Sequence, residues 1–162
     1  MLLLIGVALL TLCLALCVRN AIRTRQPWPD FGGRIVRVDS LLDWHSLLER
    51  AAGRLVLVDA YALWCPPCRS AAPVYARMSE EYTEESVIFA KVDVDRAADV
   101  ARELEIAAMP TFKLFGPGGE VGCTRGWSED AVRRLLARGG AQRENRPQCG
   151  SEEDGERARL NP

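Results

Sequence analysis

Two cysteines three residues apart are the side chains of this chain best suited by type and spacing to chemistry. Cys65 and Cys68 follow an apolar, strand-like run and open a helical pattern. At a helix N-terminus the unpaired backbone N–H groups and the helix dipole stabilise an anion, so Cys65 is predicted to ionise more readily than an ordinary thiol. Cys68 then lies one helical turn inward, within disulfide distance of Cys65. This arrangement predicts thiol–disulfide exchange, with Cys65 as the nucleophile and Cys68 as the resolving thiol.

Zinc binding is the main alternative for such a pair, because two cysteines at this spacing also form half of many zinc sites. A tetrahedral site needs two further ligands. The chain offers a single histidine, His45, no second pair of this spacing, and the isolated Cys123 and Cys149. We therefore predict no metal and assign no role to His45.

The composition predicts one globular domain with extensions. The 162 residues, 48% of them hydrophobic and 27% charged, are enough for one core and too few for two full domains. The formal net charge is −1 and the arginines are interspersed with acids, so no basic stripe is available to follow a phosphate backbone. Nucleic acid is excluded as an expected partner.

The elements that must position the cysteines alternate between strands and helices. The runs at 55–58 and 87–94 are apolar and β-branched, as in central strands buried on both faces. Between them a helix is predicted over 65–82, with Pro73 inside it. The remaining predicted elements are a strand at 35–38, a helix capped by Ser40 and ended by Gly53, a helix at 97–104, a hairpin of 111–115 with 120–124, and a helix capped by Ser128. This order predicts an α/β fold with a central mixed β-sheet flanked by helices.

Five segments in the same order resemble the thioredoxin family, over about residues 34–138. They are Val58-Asp59-Ala60-Tyr61-Ala62-Leu63-Trp64-Cys65-Pro66-Pro67-Cys68, Ala72-Pro73, Ala90-Lys91-Val92-Asp93-Val94-Asp95, Met109-Pro110-Thr111-Phe112 and Gly119-Glu120-Val121. The resemblance implies a thioredoxin fold and a protein-disulfide reductase that cycles a Cys65–Cys68 disulfide, needs no cofactor and maintains cell redox homeostasis. It implies disulfide-containing protein substrates and an upstream reductase or dithiol donor as partners.

The resemblance also implies roles for residues around the cysteines. Asp59 would be a buried acid that transfers a proton near Cys68, Lys91 its basic neighbour, and Pro110 a cis proline beside the active site. The expected substrate-binding surface comprises Trp64, Pro66, Pro67, Met109, Pro110, Gly126 and Trp127. A buried carboxyl resists ionisation, so proton exchange between Asp59 and Cys68 near neutral pH is physically reasonable. The alternative for Asp59 is a strand-end acid satisfied by hydrogen bonds.

Departures from the family pattern keep other functions open. Pro66 stands where the family usually has Gly, and Tyr61 where Trp is common. The run from Trp64 to Arg69 looks like the active site of tryparedoxins and nucleoredoxins, so a tryparedoxin-like dithiol carrier is the runner-up. A membrane-tethered binding or chaperone module without turnover is the alternative from another class, although such modules commonly lose one cysteine.

The two ends of the chain carry predictions of their own. Residues 1–18 lack charged side chains and, at 1.5 Å per residue, give a helix of roughly 27 Å, so they are predicted to be a transmembrane anchor. Arg19, Arg23 and Arg25 follow, which places the domain in the cytoplasm by the positive-inside rule. A removed signal or an organelle-targeting segment is the alternative. Residues 19–33 are predicted to be a linker and 139–162 a disordered polar tail. Cys13 and Cys17, in the anchor, share one helix face and are interpreted as packing residues.

Overall fold

The computed structural model describes residues 2–24 and 28–144. In chain order the elements are α1 (Leu2–Thr24), β1 (Ile35–Arg37), α2 (Leu41–Ala51), β2 (Leu55–Tyr61), α3 (Pro66–Glu81), β3 (Val87–Asp93), α4 (Ala98–Glu103), β4 (Thr111–Gly116), β5 (Gly119–Arg125) and α5 (Glu129–Gly139). The predicted strands and helices of the domain are all present, with bounds that differ by one to three residues.

A single five-stranded sheet carries the domain, in the order β1-β3-β2-β4-β5. The β1 and β2 strands run parallel to β3, whereas β4 is antiparallel to both β2 and β5. The predicted mixed sheet is therefore confirmed. All seven residues of β2 are buried, as expected for a central strand covered on both faces.

Helices cover both faces of the sheet, and the alternation of side chains along β2 divides the core between them. Leu55 and Leu57 pack on one face in a cluster that includes Tyr75 of α3 and Leu136 of α5. Val56 and Val58 pack on the other face in a cluster built with α2 and α4. Asp59 follows Leu57 by two residues and therefore points to the same face as Leu55 and Leu57, which is the face covered by α3.

Side-chain caps begin two of these helices where the sequence predicts them. Ser40 Oγ accepts a hydrogen bond from the Asp43 backbone N–H at 3.2 Å, and Ser128 Oγ accepts one from the Ala131 N–H at 3.4 Å. Each cap satisfies an N–H group that the first helical turn leaves without a partner. These local signals therefore locate the starts of α2 and α5.

The packed domain extends beyond residues 34–138 at both ends. Residues 28–33, here called the strap, lie against the domain, and the Trp28 indole N–H donates to the Leu63 carbonyl at 3.0 Å. At the other end the Gln142 carbonyl accepts from the Thr83 N–H at 2.9 Å, and the Glu144 N–H donates to the Glu81 carbonyl at 2.8 Å. Backbone pairing of this kind leaves no mark on composition, which by itself predicts a linker and a tail at these polar, Gly-rich and Pro-rich ends. The rest of the predicted tail, with Cys149, lies outside the described residues.

Helix α1 covers residues 2–18 of the predicted membrane anchor and continues through 19–24, which the sequence predicts as linker. Among the described residues, no helix combines the length and the apolar character needed to cross a membrane. Cys13 and Cys17 on α1 are exposed free thiols. A transmembrane role for residues 1–18 stays a prediction.

Candidate active site

The two cysteines predicted to carry the chemistry form a disulfide at the start of α3. Their Cα atoms are 5.3 Å apart. Cys65 is the N-cap residue of the helix, and its Sγ accepts a hydrogen bond from the Cys68 backbone N–H at 3.3 Å. Cys65 is 3% exposed and Cys68 is fully buried. The sulfur of Cys65 therefore lies where backbone donors and the helix dipole favour a thiolate, as the sequence predicts.

The local sequence explains why the disulfide occupies this position. Strand β2 ends at Tyr61, and the Cys65 N–H donates to the Ala62 carbonyl at 3.1 Å, which closes a tight turn between strand and helix. Pro66 and Pro67 occupy the first two helical positions. Proline is well suited to them because these N–H groups lack a partner inside the helix in any case. Because proline has no backbone N–H, the first N–H after Cys65 is that of Cys68, which donates to the Cys65 sulfur.

Asp59 is a buried carboxyl on β2, six residues before Cys65. It is 4% exposed, and its Oδ1 has no hydrogen-bond partner in the described part of the chain. Burial raises the pKa of Asp59 from 3.8 to about 7, and the positive charge of Lys91 moderates the rise. Lys91 is the register partner of Asp59 on β3. The unpaired oxygen weighs against the alternative in which hydrogen bonds satisfy a structural acid.

A cavity of about 430 Å³ lies beneath α3 and is lined by Asp59 and Lys91. Ala72, one helical turn after Cys68 on α3, lines it too. The carboxyl and the buried thiol position are therefore on the same side of the sheet, under the same helix.

The residues expected to bind substrate lie on three segments: the start of α3 with the residue before its cap, the segment before β4, and the segment after β5. Trp64 is 46% exposed and donates from its indole N–H to Asp95 at 2.8 Å, and Pro66 and Pro67 beside it are exposed. Met109 packs against the buried cluster that contains both cysteines. The Met109–Pro110 peptide bond is cis. Through Met109, the segment with the cis proline therefore meets the cluster that contains the disulfide.

Gly126 and Trp127 belong to the third of these segments. The Gly126 N–H donates to the Pro110 carbonyl at 2.8 Å, which joins this segment to the cis proline. Trp127 is half-buried, with its ring 5.7 Å from that of Phe112. Gly126 therefore reaches the rim of the site, whereas the Trp127 ring also supports the core.

Trp28 is a residue of this site that sequence reasoning missed. Its ring lies 5.2 Å from that of Tyr61, and it packs in the cluster that contains Cys65 and Cys68. The only sequence signal was a large aromatic residue in a segment otherwise typical of a linker, between Pro27 and Pro29.

Residues considered for a metal site do not converge. In the stretches 2–24 and 28–144, no group of three or more His, Cys, Asp or Glu side chains is arranged to hold a metal ion. His45 pairs with Glu103 at 2.8 Å on the surface between α2 and α4. Cys123 is an exposed free thiol on β5.

Comparison with known proteins agrees with this geometry. The family model described as thioredoxin matches residues 37–138. Human thioredoxin is 41% identical over 102 residues, which cover 63% of this chain and 95% of the human protein. Thioredoxin of Coprinus comatus is 37% identical over 102 residues, with the same coverage of both chains.

Solved structures give the same result in three dimensions. Reduced Schistosoma mansoni thioredoxin pre-protein superposes with a TM-score of 0.61 at 38% identity, covering 65% of this chain and 97% of that one. The region that the family model matches, residues 37–138, contains the whole sheet except the first residues of β1, together with α3 and both cysteines. The chain therefore belongs to the thioredoxin family, as a thiol–disulfide oxidoreductase with Cys65 and Cys68 as its redox pair.

Proposed function

We propose that this chain reduces protein disulfides through an attacking Cys65 and a resolving Cys68. The Cys65 thiolate attacks one sulfur of a substrate disulfide, forms a mixed disulfide and releases the other substrate sulfur as a thiolate. Cys68 then loses its proton and attacks Cys65 Sγ, which releases the second substrate thiol and leaves the Cys65–Cys68 disulfide. An upstream reductase or dithiol donor returns two electrons to the pair. The N-cap position of Cys65, with Cys68 buried one turn inward, is the observation that carries this assignment.

Asp59 is proposed to accept the Cys68 proton during resolution. A carboxyl whose pKa is raised to about 7 can take up and release a proton near neutral pH. Lys91 limits the rise, so that part of the Asp59 population stays ionised and able to act as a base at pH 7. Both side chains act behind the disulfide, away from the exposed surface that meets the substrate.

The substrate is proposed to bind over Trp64, Pro66, Pro67, Met109, Pro110, Gly126 and Trp127. Buried cysteines require a partner that brings its disulfide to the rim of the site. An extended segment pairing with the Met109 backbone would do this by adding main-chain hydrogen bonds beside the disulfide.

Reduction of insulin by dithiothreitol tests the assignment against a binding or chaperone module without turnover. The full chain is expected to accelerate insulin reduction well beyond the rate with dithiothreitol alone. A rate of insulin reduction equal to that with dithiothreitol alone would favour the binding or chaperone module. The tryparedoxin-like alternative shares the chemistry, so the donor must distinguish it: a low-molecular-weight dithiol would reduce that type of carrier faster than a flavoprotein reductase.

Replacing Pro66 by Gly, the usual family residue, is expected to shift the reduction potential of the pair without abolishing activity. Glycine restores an N–H near the Cys65 thiolate, and it also loosens the loop that holds the two sulfurs together. These effects oppose each other, so the expectation concerns the size of the shift and not its sign. A change equivalent to one hydrogen bond, about 1 kcal/mol, corresponds to roughly 20 mV for a two-electron couple and is readable by titration against glutathione.

Pro67→Ala is the matched control, because it restores an N–H one residue further into the helix. Equal potentials in the parent and Pro66→Gly, within a few millivolts, would show that Pro66 serves partner contact alone.

Residues 1–18 are proposed, from the sequence alone, to hold the domain at a membrane with the domain on the cytoplasmic side. The support is the uncharged run followed by Arg19, Arg23 and Arg25. Protease treatment of sealed vesicles tests it: the domain should be digested from the cytoplasmic side without detergent. Protection until detergent is added would favour entry into the secretory pathway or an organelle.

A further inference from the structure

The strap lines the cavity that Asp59 borders and is fastened at both ends. At its start the Trp28 indole donates to the Leu63 carbonyl and its ring packs on Tyr61. At its end the Arg34 N–H donates to Ser79 Oγ of α3 at 2.8 Å. The family match begins only at residue 37, so the strap is a feature of this chain outside the matched region.

The end of the strap also packs closely on α3. Gly33 has φ +84°, and a Cβ placed there would lie 2.7 Å from the Ala76 carbonyl oxygen. Only glycine permits this approach without displacing one of the two backbones. Neighbouring Gly32 has φ +71° but no atom within 4 Å of its Cβ direction. The two glycines thus share a conformation and differ in packing.

The strap and Asp59 line the same cavity. All of residues 28–33 contribute to its lining, together with Asp59 and Lys91. Asp59 is nonetheless 4% exposed, with an oxygen that has no partner in the described residues. A carboxyl that borders a cavity and stays almost inaccessible needs a cover, and the strap is the longest segment outside the sheet and helices in the lining of this cavity.

Charged and titratable groups from every packed element border the same space. They are Asp30 of the strap, Arg37 of β1, Tyr61 of β2, Lys91 and Asp93 of β3, Arg96 beyond β3, and Tyr75 of α3. Their charges are mixed in sign, so access of solvent becomes the main variable for Asp59. This agrees with burial as the largest cause of its raised pKa.

We propose that the strap is a positioning element of the redox site, with Trp28 as its latch: by closing the cavity it keeps the Asp59 carboxyl from bulk solvent. The proton that Asp59 takes from Cys68 is then held in the site and does not exchange freely with water. In this role Trp28 acts through Asp59 and takes no part in the exchange between the sulfurs. The kinetic consequence rests on the proposed proton transfer, whereas the closure itself does not.

Titration of Asp59 in the oxidised full chain, followed by carboxyl ¹³C NMR, tests the closure. The disulfide removes both thiols from the titration, so the Asp59 midpoint reports its surroundings. Trp28→Ala is expected to lower the midpoint by about half a pH unit or more, because hydration stabilises the carboxylate. Trp28→Phe keeps a ring over Tyr61 but loses the hydrogen bond and part of the ring area, so its midpoint should fall between those of the parent and Trp28→Ala.

Gly33→Ala and Gly32→Ala are a matched pair that disturbs the strap without touching Trp28. Both introduce a side chain at positive φ, but only Gly33→Ala collides with α3, so only this variant should lower the Asp59 midpoint. Should Trp28→Ala fail to fold, Trp28→Phe and Gly33→Ala decide the question. Midpoints within about 0.2 pH units of the parent in the folded Trp28 and Gly33 variants, or midpoints above it, overturn the proposal.

The resolution step separates this proposal from the proposed role of Asp59. In single turnovers, Trp28→Ala should move the pH profile of substrate release downward, and in an Asp59→Asn background it should move nothing. Proton transfer would be refuted, and the closure left intact, if Trp28→Ala lowers the NMR midpoint while Asp59→Asn releases substrate with the pH profile of the parent. The closure would be refuted, and proton transfer left intact, if the Asp59 midpoint is unchanged in Trp28→Ala while Asp59→Asn slows substrate release.

Discussion

Cys65→Ser is expected to reduce insulin no faster than dithiothreitol alone, a loss of roughly a thousandfold or more, as when a catalytic nucleophile is removed. Serine keeps the N-cap geometry but its hydroxyl remains protonated at neutral pH, so no mixed disulfide can form. Cys68→Ser leaves Cys65 able to attack and removes the thiol that resolves the intermediate. This variant should therefore accumulate mixed disulfides with its substrates, visible on non-reducing gels and reversed by reductant.

Cys123→Ser is the matched control for both variants. It removes an exposed free thiol on β5, outside the site, and should leave insulin reduction and the gel pattern unchanged. Activity of Cys65→Ser equal to that of the parent would refute the proposed mechanism. Trapping by Cys65→Ser in place of Cys68→Ser would exchange the roles of the two cysteines.

Asp59→Asn is expected to stabilise the oxidised protein at pH 8 and to have much less effect at pH 4. Between pH 3.8 and about 7 the folded protein holds a proton on Asp59 that the unfolded chain has lost. Stability of the parent therefore falls as pH rises through this window and levels off above it. Asparagine does not titrate, so the variant gains, relative to the parent, up to about 4 kcal/mol at pH 8.

Urea unfolding of oxidised parent and variant at pH 4, 6 and 8 measures this difference. The two free energies of unfolding should diverge with rising pH, and the divergence should be complete near pH 8. Parallel curves across this range would show that Asp59 titrates in the folded protein as it does in the unfolded chain.

The same variant should slow resolution of the mixed disulfide while the attack by Cys65 is retained. Asparagine cannot accept the Cys68 proton, so release should lose the dependence on pH that Asp59 supplies near 7. Asp93→Asn is the control: this carboxyl borders the same cavity but accepts a hydrogen bond from the Asp95 N–H at 3.1 Å. Release rates of Asp59→Asn that match the parent from pH 6 to 9 would exclude Asp59 as the base.

Much of the fold and the centre of the site could be predicted from the sequence. The β-branched run of β2, the Ser40 and Ser128 caps and the cysteine pair at a helix start depend on neighbours within a few residues. The order of the predicted strands and helices along the chain then requires a mixed sheet with helices on both faces. Resemblance added the expected roles of Asp59, Lys91 and Pro110, which spacing does not reveal.

Only the tertiary structure decided how deeply the site is enclosed. In the sequence Asp59 is an acid near the end of a strand, and its raised pKa arises from burial, which only the folded chain produces. Trp28 and Leu63 are 35 residues apart, and Gln142 and Thr83 are 59 apart, so no local pattern reports these contacts. The contacts at the ends of the domain are hidden from the sequence for the same reason: local composition records preferences for turns and strands, whereas burial depends on which distant surfaces meet.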